Sequence, residues 1–162
     1  MKRLPLMAIM AITIAIDQWT KHIARMSLAT AAPRRFSILT LLYAENTGAF
    51  LSLGANLPPQ TRSLIFSGVV AVALAIGIYA LMTNRVGGNA DAIAVAFILG
   101  GGIGNLIDRV FRGGRVTDFL YMAVGPLHTG VFNVADIAIT GGVIWLLVSW
   151  FLTKKDVTPS AS

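Results

Sequence analysis

Cysteine is absent from the sequence, and charged residues make up only 12% of its 162 positions. Without cysteine the chain has no disulfide framework, no zinc–thiolate site and no thiol nucleophile. The charged fraction is about half that of a typical soluble domain, which excludes a disordered chain and an ordinary soluble enzyme. There is no His-Glu-x-x-His and no Gly-x-Ser-x-Gly motif, and His22 and His128 lie far apart in the sequence. We therefore expect no metal site, no cofactor and no serine nucleophile.

Long stretches without charge are abundant instead. Hydrophobic residues make up 56% of the chain, and no charged side chain occurs in residues 4–16, 63–84, 92–107 and 137–153. A transmembrane helix needs about 20 apolar residues. Only the second stretch is that long, and the others border Asp17, Asp108 or Asp136. The sequence predicts one all-α integral membrane domain over residues 1–162, with four transmembrane helices over about residues 4–21, 62–83, 90–108 and 135–153.

The segments between the predicted spans have sequence patterns of their own. Residues 36–43 and 115–122 are β-prone, and turn-forming residues follow each run. We therefore expect a small β-rich element outside the membrane, within loops at about residues 22–61 and 109–134, and a disordered tail at about residues 157–162. Small residues favour close approach of the third and fourth helices: Gly100, Gly101, Gly102, Gly104, Gly141 and Gly142.

The net charge of +6 comes from basic residues that are scattered rather than clustered. In a chain with little aqueous surface such residues flank membrane spans, so we predict contact with membrane lipids and no nucleic-acid partner. The positive-inside rule does not decide the orientation, because few basic residues lie densely on one side and more lie in longer loops on the other. Span parity places most of the seven acidic residues at one membrane face: Asp17, Glu45, Asp108, Asp118 and Asp136.

Polar residues with helical spacing occur near that face. Asp17 and Lys21 are four residues apart, with the acid first, and can form an ion pair at the membrane edge. Asn105 and Arg109 have the same spacing and can join helices through hydrogen bonds. Asp108 lies beside Arg109, and the simplest interpretation is that it is an ionised, paired group.

The start of the fourth helix carries a second acidic candidate. Asn133 is a plausible N-cap, and Asp136 in the first turn suits the helix dipole. Asp118 lies in an apolar run, which capping does not explain. Two carboxylates brought together at a water–lipid boundary cannot both ionise easily, and such a pair is what aspartic-protease chemistry requires. Spacing alone does not choose among the pairs formed by Asp17, Asp108, Asp118 and Asp136.

A set of short motifs, in one order along the chain, identifies a known family. The chain resembles bacterial lipoprotein signal peptidase (signal peptidase II) in Asp17-Gln18-x-x-Lys21, Glu45-Asn46-Thr47-Gly48-Ala49-Phe50, Gly104-Asn105-x-x-Asp108-Arg109, Val116-x-Asp118-Phe119 and Phe132-Asn133-x-Ala135-Asp136. Each motif alone is weak, but the ordered set is specific and covers essentially the whole folded chain.

This resemblance implies catalysis by Asp118 and Asp136. It also implies substrate contact or support of that pair by Asn46, Gly48, Asn105, Arg109, Asn133 and Ala135, and support of fold and site by Asp17 and Lys21. The implied partner is a prolipoprotein whose cysteine already carries diacylglycerol, cleaved just before that cysteine. Both termini would be cytoplasmic, and the active site would lie near the periplasmic face of the bacterial inner membrane.

Two other classes of membrane protein share some of these features. A small transporter or proton pathway also uses intramembrane carboxylates, and glycine-rich spans suffice for a non-enzymatic assembly subunit. Small exporters tend to place the acid deep within a helix and to have short loops. Here the acidic residues gather at one face and the loop at about residues 22–61 is long, which favours the peptidase.

Overall fold

The chain folds into long helices and a small antiparallel sheet. The computed structural model describes residues 3–47 and 58–155, so Gly48, Phe50 and the predicted tail lie outside the described residues. Within the described residues there are four helices: α1 (Arg3–Leu28), α2 (Pro59–Met82), α3 (Asn89–Phe111) and α4 (Val134–Lys155). The same residues form four strands: β1 (Arg34–Phe36), β2 (Leu39–Asn46), β3 (Val116–Val124) and β4 (Leu127–His128). The expectation of a mostly helical chain with a small β-rich element is confirmed.

Particular residues set the ends of the helices. Pro59 lies in the first turn of α2, where a missing N–H group costs no hydrogen bond. After α3 the chain turns through Gly113 and Gly114, with φ angles of 62° and 84°, a conformation that favours glycine. Helix α1 extends beyond the predicted first span as far as Leu28, because its last turns pack against Phe119 of the sheet.

Helix α3 lies at the centre of the bundle and contacts α1, α2 and α4. Its glycines allow these contacts to be close, as the sequence predicted. A Cβ atom on Gly100 would lie 2.8 Å from the Cβ of Thr13, and one on Gly101 would lie 2.5 Å from the carbonyl oxygen of Ala135. Both distances are shorter than side chains tolerate, so α1 and α4 can pack here only against glycine. Gly141 on α4, predicted to serve the same purpose, faces open space.

The outer surface of the bundle is apolar. Only 11% of the most apolar window of α4 is buried inside the protein, and that helix exposes Ile137, Val143, Ile144, Trp145, Leu147, Val148, Trp150, Phe151 and Leu152. A soluble monomer rarely exposes so continuous an apolar surface. Among the described residues, α3 and α4 are long and apolar enough to cross a membrane, and α2 contains a shorter apolar helix, Ser67–Met82. These features agree with a membrane protein, while the four-span arrangement stays a prediction.

The strands pair in the order β1-β2-β3-β4. In the β2–β3 pair, Leu41 lies opposite Leu120 and Ala44 lies opposite Asp118. Strand β2 therefore has one residue more than β3 between these positions, which is a β-bulge. Strands β2 and β3 contact α1, and β3 also contacts α3. The sheet thus packs against one end of the bundle, with the bulge next to Asp118.

Polar residues separate two groups of buried apolar side chains. One group lies among the helices and includes Leu6, Leu74, Leu81, Ala96 and Leu99. The other lies where α1 meets the sheet and includes Ala24, Leu28 and Phe119. Along α1, Asp17 and Lys21 fall between these groups, and both are fully buried. The interior therefore contains a charged layer, which needs partners from the neighbouring elements.

Replacement of Gly101 by alanine tests the close contact between α3 and α4. The added methyl group would meet the backbone carbonyl of Ala135, which cannot move away unless α4 shifts. We expect Gly101→Ala to lower the free energy of unfolding by about 1–3 kcal/mol, measured by thermal unfolding in detergent. Gly141→Ala is the matched control, because its methyl group would meet nothing within 4 Å. Equal stability of the two variants would contradict the packing described here.

Candidate active site

The side chains predicted for the site converge where the helices meet the sheet. Buried polar residues come from α1, α3, β3 and the residue before α4: Asp17, Lys21, Asn105, Asp108, Thr117, Asp118 and Asn133. Asp136 and Arg109 are half-buried at the same place. Of the residues predicted from the sequence, Gly48 alone lies outside the described part of the chain, and the contacts below bring the others together.

Asp118 and Asn133 meet because the segment before α4 pairs with β3. The N–H of Phe132 donates to the carbonyl of Leu120 at 2.8 Å, and the N–H of Leu120 donates to the carbonyl of Phe132 at 2.9 Å. This isolated bridge holds the next residue, Asn133, beside the strand. Asn133 Nδ2 then donates to Asp118 Oδ1 at 2.6 Å.

Reciprocal hydrogen bonds cap the first turn of α4. The backbone N–H of Asp136 donates to Asn133 Oδ1 at 3.0 Å, and the backbone N–H of Asn133 donates to Asp136 Oδ2 at 3.1 Å. This arrangement is a capping box, so Asn133 is an N-cap as the sequence predicted. Asp17 on α1 also accepts the N–H of Ala135 at 2.9 Å. The positive end of the α4 dipole therefore faces two carboxylates.

Asn105 joins the two candidate catalytic aspartates. Its Oδ1 accepts from Lys21 Nζ at 2.8 Å and from Asn133 Nδ2 at 3.2 Å. Its Nδ2 donates to Asp136 Oδ1 at 2.9 Å. Because Asn133 also donates to Asp118, a continuous path of side-chain hydrogen bonds connects Asp118 to Asp136.

Lys21 is a fully buried ammonium group surrounded by carboxylates. Its Nζ lies 2.8 Å from Asp17 Oδ2 and 3.8 Å from Asp108 Oδ2, so the Asp17–Lys21 pair predicted from the spacing is present. The approach of α1 to α3 depends on Gly104, since a Cβ atom there would lie 2.5 Å from Asp17 Oδ2. Gln18 Nε2 donates to the carbonyl of Gly104 at 3.0 Å and reinforces this contact.

Asp108 holds β3 against the end of α3. Its Oδ2 accepts the backbone N–H of Thr117 at 2.8 Å, and its Oδ1 lies 3.8 Å from Arg25 Nη1. The sequence interpretation paired Asp108 with the adjacent Arg109. The structure instead gives Lys21 and Arg25 as its ion-pair partners, because successive residues of a helix point in different directions.

Arg109 supplies positive charge beside the two aspartates. Its Nη1 donates to the backbone carbonyl of Asn105 at 3.2 Å, four residues earlier on the same helix face as the spacing predicted. The guanidinium is attracted electrostatically by Asp136 and, to a smaller extent, by Asp118. It also lines a surface cavity of about 360 Å³ with residues of α2, among them Gln60.

Burial raises the pKa of Asp118 from 3.8 to about 6. The residue is only 2% exposed, so its carboxylate loses hydration, and this disfavours the charged form. Hydrogen bonds from Asn133 and Asn46 lower the pKa, whereas the negative charge of Asp136 raises it. Asp118 therefore retains a proton at a pH at which an ordinary aspartic acid has lost it.

Glu45, the residue before Asn46 in β2, forms several polar contacts. Arg115 Nη1 lies 2.7 Å from Glu45 Oε2, and Arg112 Nη2 lies 3.4 Å from Oε1. The Tyr43 hydroxyl donates to Oε1 at 2.8 Å. The hydrogen bonds from Tyr43 and Arg115 lower the pKa of Glu45. These contacts tie the end of β2 to the turn between α3 and β3.

Asp136 reaches the surface of the protein through a cavity of about 380 Å³, which it lines together with Thr129, Phe132, Ile137, Thr140 and Gly141. A larger apolar cavity of about 470 Å³ lies between α3 and α4 and shares Ile137 and Gly141 with the first. An apolar groove therefore leads along α4 to the carboxylate of Asp136.

The arrangement has the elements of general acid–base catalysis. Asp118 is a buried acid whose pKa is raised to about 6, and both oxygens of Asp136 accept N–H donors, as a carboxylate does. Such a pair can take a proton from water and donate another to a carbonyl oxygen. Within residues 3–47 and 58–155, no three His, Cys, Asp or Glu side chains are grouped so that they could hold a metal ion.

Sequence reasoning missed Arg25 and Thr117 as members of the polar cluster. Arg25 Nη1 donates to Thr117 Oγ1 at 3.3 Å. Arg25 continues the four-residue spacing of Asp17 and Lys21, and this spacing could have identified it. Thr117 has no such pattern, since only the fold brings β3 next to α1.

Comparison with known proteins assigns the fold and the family. Residues 9–152 match the family model for signal peptidase (SPase) II. A lipoprotein signal peptidase of Francisella tularensis subsp. mediasiatica is 38% identical over 145 residues, or 88% of each chain. One of Syntrophus aciditrophicus is 34% identical over 147 residues, 90% of this chain and 91% of that protein. One of Acinetobacter baylyi is 39% identical over 148 residues, 90% of this chain and 80% of that protein.

Solved structures share the same architecture. A structure described as a bacterial membrane enzyme superimposes with a TM-score of 0.77 at 22% identity, over 98% of this chain and 94% of that chain. A second structure with the same description gives a TM-score of 0.77 at 24% identity, over 90% and 92%. At these identities the likeness establishes the fold.

The pH dependence of stability tests the raised pKa of Asp118. An acid whose pKa is higher in the folded chain stabilises the fold while protonated, and this stability is lost as pH rises from about 4 through about 6. Asp118→Asn removes the titrating group. We therefore expect the Tm of Asp118→Asn, relative to wild type, to increase across that range. A flat difference would contradict the raised pKa.

Glu45→Gln is the matched control, because the pKa of Glu45 is shifted in the opposite direction to that of Asp118. Because the pKa of Glu45 is lowered from 4.5, its carboxylate stabilises the fold above that pH, and this stability is lost as pH falls. The Tm of Glu45→Gln relative to wild type should become more negative as pH rises towards about 4.5. Thermal unfolding of both variants in one buffer series measures the two slopes together.

Proposed function

The chain belongs to the signal peptidase II family, and on this premise we propose that it is a membrane aspartic endopeptidase that removes the signal peptide from diacylglyceryl-modified prolipoproteins. Cleavage falls just before the lipidated cysteine. The assignment to this family, predicted from the ordered motifs, is confirmed by the match over residues 9–152. Its curated relatives are named lipoprotein signal peptidases. The aspartic mechanism and the identity of the catalytic residues belong to the proposal.

The observation that carries the proposal is the path of hydrogen bonds from Asp118 through Asn133 and Asn105 to Asp136. Two carboxylates in one site can serve as acid and base when one member holds a proton and the other does not. We assign the proton to Asp118, because it is buried and its pKa is raised to about 6. Asp136, which lines the surface cavity, is the base.

In the proposed reaction a water molecule loses a proton to Asp136 while its oxygen attacks the carbon of the scissile carbonyl. Asp118 donates its proton to the carbonyl oxygen, which gives a neutral tetrahedral gem-diol. This intermediate collapses when a gem-diol hydroxyl returns a proton to Asp118 and Asp136 protonates the leaving nitrogen. The C–N bond breaks, a carboxyl group and an amine form, and both aspartates regain their starting states.

A lipid-modified precursor suits the position of this site. The signal peptide is an apolar helix and the modified cysteine carries acyl chains, so both remain in lipid while the peptide bond must reach water. The apolar groove between α3 and α4 leads to Asp136 and offers such a substrate an apolar surface. Arg109, beside the pair, is available to contact a lipid headgroup or the substrate backbone.

The transporter and assembly-subunit alternatives are not favoured by the site. Apolar helices and close packing at glycines suit all three classes. A buried acid beside a carboxylate that lines a surface cavity suits hydrolysis, whereas a proton pathway needs a succession of titrating groups through the membrane.

Cleavage of a diacylglyceryl-modified prolipoprotein by the purified protein in detergent tests the proposal. We expect Asp118→Asn and Asp136→Asn each to lower kcat by about a thousandfold or more, and the double variant to be little worse than either single variant. Asparagine keeps the shape of the side chain but cannot exchange a proton. Losses that do not add identify groups that act as one unit.

Two further carboxylates serve as controls in the same assay. Asp108→Asn should have a milder effect, since Asp108 holds β3 and does not exchange protons. Asp91 lies at the opposite end of α3, so Asp91→Asn should retain near-normal cleavage. If folded wild-type protein fails to cleave the lipidated precursor, or if Asp118→Asn stays active, the proposal is wrong.

We also propose that the chain crosses the bacterial inner membrane four times, with both termini in the cytoplasm and the active site near the periplasmic face. The start of α1 at Arg3 and the α2–α3 turn would then lie inside, and the sheet would lie outside. Parity of the spans and the family resemblance support this orientation, which the distribution of basic residues alone does not decide.

Single cysteines test this topology cleanly, because the natural sequence has none. Ser37 lies in the β1–β2 turn and Asn89 lies at the start of α3, and both residues are exposed. Each is replaced singly, as Ser37→Cys and Asn89→Cys. In cells with a permeabilised outer membrane, an impermeant thiol reagent should label Ser37→Cys and not Asn89→Cys. The reverse pattern would invert the orientation, and equal labelling of both would contradict the four-span arrangement.

A further inference from the structure

Lys21 has no part in the proton transfers described above, yet it contacts the residue that joins the two aspartates. Its side chain is 0% exposed, so it cannot touch a substrate from the surface. Its ammonium group lies 2.8 Å from Asp17 Oδ2 and also 2.8 Å from Asn105 Oδ1. An ion pair with Asp17 would neutralise the charge without the second contact, so the contact with Asn105 needs its own explanation.

The chemistry of an ammonium group fixes which end of the Asn105 carboxamide faces it. Lysine donates hydrogen bonds and accepts none, so Asn105 must turn its oxygen towards Lys21. The amide nitrogen then points the other way and donates to Asp136 Oδ1 at 2.9 Å. A carboxamide turned by 180° would set nitrogen against ammonium, and oxygen against the carboxylate oxygen.

The same orientation of the Asn105 carboxamide also affects the hydrogen bond that Asp118 accepts. The Asn105 oxygen that accepts from Lys21 accepts from Asn133 Nδ2 at 3.2 Å. Asn133 Nδ2 in turn donates to Asp118 Oδ1 at 2.6 Å. The fixed Asn105 carboxamide therefore holds in place the N–H groups that donate to Asp136 and to Asp118.

We propose that Lys21 is a positioning residue of the catalytic pair, which acts by holding the Asn105 carboxamide in the orientation that presents its N–H to Asp136. This inference rests on the proposed function, since it concerns the geometry of the same aspartates. It goes beyond a general supporting role, because it names the group through which Lys21 acts. The charge on Lys21 matters less here than the direction of its hydrogen bond.

Kinetics of precursor cleavage by Lys21→Met test this role. Methionine retains most of the length of the side chain but donates no hydrogen bond. We expect kcat to fall about ten- to hundredfold, the loss that follows when one buried hydrogen bond is removed from the transition state, while KM stays near the wild-type value. A general loss of folded structure would lower the active fraction instead, which active-site titration with a tight-binding inhibitor measures.

Arg25→Met is the matched control, because it removes a positive charge from the same helix face and the same carboxylate cluster. Arg25 contacts Asp108 and Thr117 and does not contact Asn105 among the described hydrogen bonds. Its effect on kcat should be markedly smaller. Equal losses in Lys21→Met and Arg25→Met would show that charge alone matters and would overturn the proposal.

A double-mutant cycle locates the group through which Lys21 acts. If Lys21 works through Asn105, the variant with both Lys21→Met and Asn105→Ala should have the kcat of Asn105→Ala alone. Losses that multiply would overturn the proposal, because they would show that Lys21 acts independently of that carboxamide.

A second single variant keeps the test decisive if Lys21→Met does not fold. Asn105→Asp retains the shape of the side chain and an oxygen acceptor for Lys21, but it removes the N–H that Asp136 receives. We expect a folded protein with kcat reduced at least tenfold, and wild-type kcat in this variant would overturn the proposal. If wild-type protein and Arg25→Met cleave the precursor but Asn105→Asp has the wild-type kcat, the positioning role of Lys21 is wrong and the proposed function stands. Absence of cleavage by the wild type would overturn the function itself.

Discussion

A buried charge must find an opposite charge and hydrogen-bond partners, and this requirement fixes how the elements of this protein meet. Lys21 on α1 is satisfied by Asp17 on the same helix and by Asn105 on α3. Asp17 also accepts a backbone N–H from the start of α4, and Asp108 accepts one from β3. Removal of one partner from such a pair leaves an uncompensated charge, which costs about 3–5 kcal/mol. These buried polar residues therefore determine the relative positions of the helices and the sheet.

This role of polar contacts suits a bundle with an apolar exterior. Lipid chains are as apolar as leucine side chains, so hydrophobic burial alone does little to hold helices together in a membrane. Instead, close packing at Gly100, Gly101 and Gly104 and the hydrogen bonds of the buried polar residues hold the helices together. The residues that hold the helices together are thus largely the residues that hold the proposed catalytic pair, so stability and activity depend on the same contacts.

Local patterns in the sequence predicted the local parts of this arrangement. The four-residue spacing of Asp17 and Lys21 predicted their ion pair, and the polar residues at the start of the fourth helix predicted its cap. The ordered motifs identified the family and singled out Asp118 and Asp136, which spacing alone did not. Contacts between distant segments were not predictable in this way. The partners of Asp108 and the bulge beside Asp118 depend on how β3 folds back on α1 and β2, which no local pattern encodes.

The cap on α4 has a consequence for inhibition. Asp136 uses one oxygen to accept the N–H of Asn133 in the capping box of α4 and the other to accept from Asn105, so its side chain cannot rotate without losing these hydrogen bonds. A mimic of the proposed transition state would meet a carboxylate that is already ordered, and binding would lose little conformational entropy there. Substitution of Asp136 to escape such a compound would break the capping box of α4 as well as remove the proposed base. Resistance would therefore have to arise among residues that line the groove, such as Ile137 or Thr140, and not among those that bind the carboxylate.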